Sequence, residues 1–429
     1  MKINAGASTA SCLSRLPWIA ASLLLASASQ AQQTVEMNLK LGPIADYGAS
    51  PWYTEDIQIS SSQLKLALDN GADFIWATSD ECTTPACNAH AKVDTSQAGF
   101  QWLDKTPTTR SFGPWGDMTT WTGSVQFGAP AGSLPSLAFF ASVDYQGSQF
   151  QYLAWDGGIG LPARSDRTTV PSAFFPKALM QAGYISEAVF SQVTNPGAKS
   201  GNFILGGVNE AYISANTVTT LTPKPAPGTD DVWGTELDSL AVGDMVIDPL
   251  SGAIFFLDTG SSRFKGDSKY VLPILSTLMK YKDSSGNAIF EEILQDGEWV
   301  GLAYVSGSPG DYENLPGIAI RLGTDCGNVA GSAAVVTLSP VQYSYQVEVG
   351  DRAGQWVVAF RILEQIGGLL VGSTFLDLFY VSYEYNIDDQ ENYSQGNMLL
   401  YAKSPDFGPG PAGYECESSS GAFGPQAGN

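Results

Sequence analysis

The sequence predicts a mostly β protein built as two similar halves. Val, Thr, Tyr, Phe and Gly are plentiful and long helical patterns are few. Short apolar runs end repeatedly on turn residues. An apolar run closing on Asp-x-Gly occurs in each half, and each is followed later by an apolar–Gly segment, residues 157–161 and 370–373. Two β lobes, each delivering one carboxylate to a shared cleft, fit that repetition.

In the first half, residues 56–60, 64–69 and 73–79 read as short strands separated by turns, and 119–128 with 134–147 as a hairpin. Residues 172–183 (SAFFPKALMQAG) read as a helix, and 188–193 and 201–208 as strands. Pro223, Pro225, Pro227 and Gly228 mark 216–231 as a linker. In the second half, 244–247 and 253–258 lead into the second Asp turn. A helix is expected over 269–281, with Pro273 tolerated in its first turn. Strands follow at 317–322, 333–347 and 356–362, then an apolar stretch, 369–386, broken by one glycine. The expected organisation is a leader over 1–31, lobes over 32–215 and 232–403 joined by 216–231, and a Gly/Pro/Ser-rich tail over 404–429. That tail should be loosely ordered except where Cys416 is tethered.

Residues 1–31 have the pattern of a secretory signal. Lys2 and Arg15 give the positive region, 17–28 the apolar stretch, and Ser29-Gln30-Ala31 a small-residue cleavage site. The apolar stretch is too short to cross a bilayer, so cleavage is favoured over retention as an anchor, and no later run is long enough to span. A soluble, secreted or periplasmic product is expected. The formal charge is −22. A surface so acidic repels nucleic acid and anionic lipid and suits an acidic medium. Cys12 leaves with the leader; Cys82, Cys87, Cys326 and Cys416 remain, an even number for an oxidising compartment. Cys82–Cys87 reads as a small loop staple, with Cys326–Cys416 then the second bridge. A C-x4-C metal site is the alternative, but no second cysteine pair completes it.

His90 is the single histidine. A Ser-His-Asp or Cys-His enzyme would have to use it, and it sits in a polar loop; a zinc hydrolase would need more. Carboxylates are therefore the well-stocked catalytic chemistry, with no metal or cofactor required. Leu68-Asp69-Asn70-Gly71-Ala72 and Leu257-Asp258-Thr259-Gly260-Ser261-Ser262 each place a carboxylate on a Gly-containing turn. Two such groups can share a proton and activate water against a peptide bond.

With these residues in order, the chain from about Thr54 to Lys403 resembles the pepsin-like aspartic proteases. Residues 68–76, with Trp76 after the turn, look like that family's first active-site turn. Cys82 to Cys87, followed by His90, looks like its small disulfide loop. Residues 155–161 resemble the segment crossing behind the first turn, and 188–191 and 203–208 the end of the first lobe. Asp258 to Ser262 matches the second turn, and 370–376 its partner segment. The resemblance implies a bilobal acid-protease fold, Asp69 and Asp258 as a catalytic dyad, and a polypeptide substrate. It implies turn support from Asn70, Gly71, Ala72, Thr259, Gly260 and Ser261, and a monomer.

Two departures stand out. Asn70 and Ala72 occupy positions where the family usually has Thr and Ser, so hydroxyl support remains only at Thr259 and Ser261. Phe112-Gly113-Pro114-Trp115-Gly116 takes the place of the family's Tyr-containing flap, with Phe112, Gly113, Trp115 and Trp76 expected at the substrate cleft. No basic inhibitory segment is visible between Ala31 and residue 56, where Lys40 is the one base, which resembles bacterial homologues lacking a propeptide. The competing reading is a pepsin-like binding protein that catalyses poorly. A two-carboxylate glycosidase is more distant, since its carboxyls lie farther apart.

Overall fold

The structure, a computed structural model, describes residues 33–111, 116–169, 171–224, 232–247, 252–323, 325–327 and 329–418. Within them the two halves share one nine-stranded sheet. Its order is Trp52–Tyr53, Val35–Leu41, Ser200–Leu205, Val189–Asn195, Tyr380–Ile387, Tyr393–Lys403, Ile213–Leu221, Asp325–Cys326 and Val329–Ala330. The two halves meet where Val189–Asn195 pairs antiparallel with Tyr380–Ile387, with Phe190 opposite Tyr383. Their rings stack at 4.5 Å, and Trp233 packs edge-on against Tyr383 at 5.2 Å. This aromatic centre belongs to a hydrophobic core that runs through both halves.

Each half adds its own sheet. In the first, Leu66–Asp69 runs parallel to Gly157–Gly160, with Asp69 beside Gly160. In the second, Ile254–Leu257 runs parallel to Gly368–Val371, with Leu257 beside Val371. The apolar–Gly segments therefore do cross behind the Asp turns, and the backbone locks them there. Leu161 N–H donates to the Asp69 carbonyl at 2.9 Å, and Asp258 N–H donates to the Val371 carbonyl at 2.9 Å. Both Asp strands are buried along their whole length, as continuous apolar runs require. The hairpin Asp117–Ala129 with Gly132–Gln146 is present, and Gln101–Ser111 pairs on its outer side.

Several expectations need correction. Residues 35–41, treated as lying ahead of the first strand, form a strand of the shared sheet. Val35, Met37 and Leu39 alternate inward with exposed Glu36, Asn38 and Lys40. The expected linker begins inside the strand Ile213–Leu221, which pairs with Tyr393–Lys403; residues 225–231 lie outside the described residues. The helices are shorter than expected, Phe175–Gln181 and Ser268–Leu278. Pro273 stands inside the second helix and not in its first turn, so the carbonyl one turn before it loses a donor there. The tail is more ordered than its composition suggests: Gly413–Ser418 pairs antiparallel with Ser332–Leu338. The leader over 1–31 lies outside the described residues. Among the described residues no helix is long and apolar enough to cross a membrane.

Both cysteine pairs are bridged, Cys82 to Cys87 and Cys326 to Cys416. The second closes a sequence separation of 90 residues and pins the tail strand to its sheet. Replacing Cys416 with Ser is expected to cost about 3 kcal/mol. The check is a lower urea midpoint.

Asp377 lies at a second, mostly apolar cavity of about 410 Å³ with Lys403. Its Oδ1 accepts from Trp52 Nε1 at 2.9 Å and Thr194 Oγ1 at 2.6 Å. Burial pushes Asp377 up to about 6, and burial pushes Lys403 down to about 8. Unfolded, the carboxyl ionises near 3.8. Between those values the folded chain keeps a proton that the unfolded chain has lost, so this group makes stability fall as pH rises from 4 to 6. Asp377→Asn should remove roughly 2 kcal/mol of that decline. Urea titrations of both proteins at pH 4 and pH 6 measure it.

Candidate active site

The two Asp-x-Gly turns meet at the floor of a cleft of about 300 Å³. Asp69, Gly71, Ala72, Asp73, Phe74 and Ser111 come from one half, and Asp258, Gly260, Ser261, Lys265, Leu363 and Leu370 from the other, with Gly48 and Ala49 also in the lining. Each turn closes on its own carboxylate: Gly71 N–H donates to Asp69 Oδ1 at 2.9 Å, and Gly260 N–H donates to Asp258 Oδ1 at 2.9 Å. The glycines are required by the opposite lobe. A Cβ on Gly71 would stand 2.7 Å from Asp258 Oδ1, and one on Gly260 would stand 2.2 Å from the Asp69 carboxyl carbon. Each carboxylate thus rests against the backbone of the other's turn.

A buried lattice holds the two turns together. Asn70 N–H donates to Thr259 Oγ1 at 3.0 Å, and Thr259 N–H donates to Asn70 Oδ1 at 2.8 Å. The Thr259 hydroxyl donates to the Leu68 carbonyl at 2.6 Å. Asn70 therefore takes part in the cross-lobe bonding through its side-chain carbonyl. Its side-chain amide nitrogen is buried near the Tyr383 hydroxyl.

The support is unequal, as Ala72 implies. Asp258 Oδ2 accepts from the Ser261 hydroxyl at 2.6 Å, and Ser261 Oγ accepts from the Lys265 ammonium at 2.9 Å. Asp69 is 7% exposed, and the Gly71 N–H is its donor. Burial, reinforced by the negative charge of Asp258, pushes Asp69 up to about 8 against the lowering influence of the Gly71 N–H and Lys265. A carboxyl so placed is held toward its neutral, protonated form.

A cationic cluster behind the second turn was not anticipated. Arg263, 4% exposed, pairs with Asp46 at 3.0 Å, and Arg352 pairs with the other oxygen of Asp46 at 3.2 Å. Arg361 stands in register beside Lys265. Burial, and then the nearby Arg263 charge, push Arg361 down to about 10. The one available signal was two bases, Arg263 and Lys265, directly after the Asp-Thr-Gly turn.

Trp76 does not line the cleft. It is fully buried in a separate cluster, edge-on to Tyr145 at 6.4 Å and tilted against Trp155 at 5.9 Å. The alternation of the strand Trp76–Thr78 sets that direction. Phe112, Gly113 and Trp115 lie outside the described residues; the strands flanking them pair up to Ser111 and Asp117, and Ser111 reaches the cleft. His90 is buried at a structural site. Its Nε2 contacts the Phe150 carbonyl at 2.8 Å, and its Nδ1 faces Asp156 at 3.3 Å.

The eukaryotic aspartyl protease family model matches residues 52–391, which spans both turns and the segments that cross behind them. The chain belongs to that family. Among curated members of the aspartyl protease family, an aspartic protease of Phaffia rhodozyma is 26% identical over 80% of this chain and 76% of its own. Pepsin A of Canis lupus familiaris is 24% identical over 53% of this chain and 57% of its own. Cathepsin E of Cavia porcellus is 25% identical over 47% of this chain and half of its own. The chain thus spans about half the length of the pepsin and cathepsin it matches.

Proposed function

We propose that this protein is an aspartic endopeptidase that hydrolyses polypeptides at acidic pH, with Asp69 and Asp258 as its dyad. The reading rests on one observation above all: two carboxylates, each packed against the glycine of the other's turn and cross-tied by Asn70 and Thr259, at the floor of an open cleft. Carboxylates this close hold one proton between them. The ionised member takes a proton from water as the oxygen attacks the peptide carbonyl, and the protonated member gives its proton to the carbonyl oxygen. Collapse of the resulting diol returns a proton to the second carboxylate. The first passes its proton to the departing nitrogen as the C–N bond breaks, which restores the starting dyad.

Phe74, Leu363 and Leu370 favour bulky apolar side chains beside the scissile bond. The two bridged cysteine pairs and the acidic charge fit a secreted or periplasmic enzyme in an acid medium. Pepstatin, a peptide bearing a hydroxyl where the scissile carbonyl would be, tests the site. It should bind one per chain at pH 4, raise the melting temperature, and lose affinity in Asp258→Asn. A folded protein that takes up no pepstatin between pH 3 and 6 would count against the assignment.

A further inference from the structure

The unequal surroundings of the two carboxylates carry a further step, which rests on the peptidase reading. We propose that Lys265 is a positioning residue for the dyad: through the Ser261 hydroxyl it fixes Asp258 as the ionised member and leaves the shared proton on Asp69.

The hydrogen-bond directions argue it. A lysine ammonium can only donate, so its 2.9 Å contact makes Ser261 Oγ an acceptor there. The single hydroxyl proton of Ser261 is then free to be spent on Asp258 Oδ2, at 2.6 Å. With the Gly260 N–H on Oδ1, Asp258 receives a donor on each oxygen, and one of them is polarised by a full positive charge. Asp69 has the Gly71 N–H, and the Ala72 methyl stands where a hydroxyl could have supplied its other oxygen. Asp69 is also the more buried of the two, and burial favours the neutral form.

The position of Lys265 is built, not incidental. It lies in the strand Phe264–Gly266, paired on one side to Phe360–Ile362 and on the other to Gly368–Val371. Its stem passes under Gly48, where a Cβ would stand 3.0 Å from Lys265 Cε at a φ of +87°. The segment carrying Gly48 is itself bonded to the Asp258 turn, through Ser262 N–H to the Gly48 carbonyl at 3.0 Å and Ser50 N–H to the Gly260 carbonyl at 2.8 Å.

Among the described residues, the charges that act on the ammonium are Asp258 and Asp69 from the two turns and Arg263 after the second turn; Arg361 stands opposite it on the paired strand, Asp46 with Arg352 lies beyond Arg263, and Asp267 follows the strand's end. Asp267 is occupied by the Ile366 and Gly367 N–H groups, and Asp46 by the two arginines. Among the described residues the dyad carboxylates are thus the anions that act on Lys265. Burial pushes Lys265 down to about 8, against the pull of Asp258, so it stays charged throughout the acid range.

The sign follows. A fixed positive charge favours the ionised dyad, so removing it makes protons harder to remove and moves both limbs of the pH–rate profile upward. Lys265→Met should move the acid limb of kcat/KM up by about one pH unit, a tenfold gain in proton affinity. Lys265→Arg should restore the wild-type limb, and Ser261→Ala should move it the same way as Lys265→Met without loss of the charge. In parallel, ¹³C-carboxyl NMR of aspartate-labelled wild type and Lys265→Met follows the dyad's titration directly, with circular dichroism to show that both are folded. An upward shift in both experiments is the expected result. Identical titrations in wild type and folded Lys265→Met, or a downward shift, overturn the role of Lys265. If wild type cleaves nothing at any pH, the peptidase reading fails, and the carboxyl titration still decides the Lys265 question on its own.

Discussion

Asp69→Asn and Asp258→Asn are each expected to lower peptide hydrolysis by about a thousandfold or more, because each removes one half of a proton exchange that the reaction needs twice. The stronger test lies in stability. Asp69 ionises near 3.8 in the unfolded chain and is pushed up to about 8 by burial beside Asp258. Above the ordinary carboxylate range the folded protein therefore holds a proton that the unfolded chain has given up, and stability falls as pH rises toward neutrality. An amide at position 69 neither titrates nor repels Asp258. Asp69→Asn should match wild type near pH 3 and exceed it by about 2 kcal/mol or more at pH 7. Urea denaturation at the two pH values reads both predictions. Loss of activity with a gain in neutral-pH stability is the signature of a carboxyl kept for function at the expense of the fold. Equal loss of stability at both pH values would show Asp69 to be an ordinary turn residue.

Gly260→Ala is the second large effect. Its Cβ would stand 2.2 Å from the Asp69 carboxyl carbon and Oδ1 and 2.4 Å from Oδ2, far inside any tolerable contact. Neither side can yield cheaply, because the Asn70–Thr259 bonds clamp the turns and strands Leu66–Asp69 and Ile254–Leu257 are buried on both faces. The methyl must separate the carboxylates or spread the lobes. A stability loss of about 2–3 kcal/mol is expected, together with near-complete loss of turnover. Gly71→Ala, whose Cβ meets one Asp258 oxygen at 2.7 Å, should be the milder of the two. Melting curves and pepstatin binding on the same samples separate the effects: Gly260→Ala should lose pepstatin affinity even at temperatures where it is fully folded.

Much of this site was legible because its parts are local in sequence. An apolar run, an Asp and a Gly suffice to place a carboxylate on a turn, and the recurrence of that pattern implied a second lobe. The bridging partner of Cys326 followed from parity. What escaped depended on contacts distant in the chain. Trp76 was expected at the cleft, but its direction is set by strand alternation and by Tyr145 and Trp155, which fill the space behind the turn. Strand Val35–Leu41 carried a period of two in Val35, Met37 and Leu39, and its polar outer face of Glu36, Asn38 and Lys40 hid it. Strand Gly413–Ser418 lies in a Gly- and Pro-rich stretch, and its order comes from pairing with Ser332–Leu338 and from the bridge to Cys326. Lys265 was the least legible. Its stem is covered by Gly48, more than two hundred residues earlier in the chain, and the pair of bases after the second turn marks a charge there without its contact to Ser261.

The most direct measurement is cleavage of an acid-unfolded protein substrate by the purified chain from Gln32, from pH 2.5 to 7, with Asp258→Asn run beside it and the products mapped by mass spectrometry. The account predicts internal cleavage confined to acidic pH, at bonds flanked by bulky apolar residues, and absent from Asp258→Asn. A folded wild-type chain that cuts at no pH, or an Asp258→Asn variant that cuts as well as wild type, would contradict it.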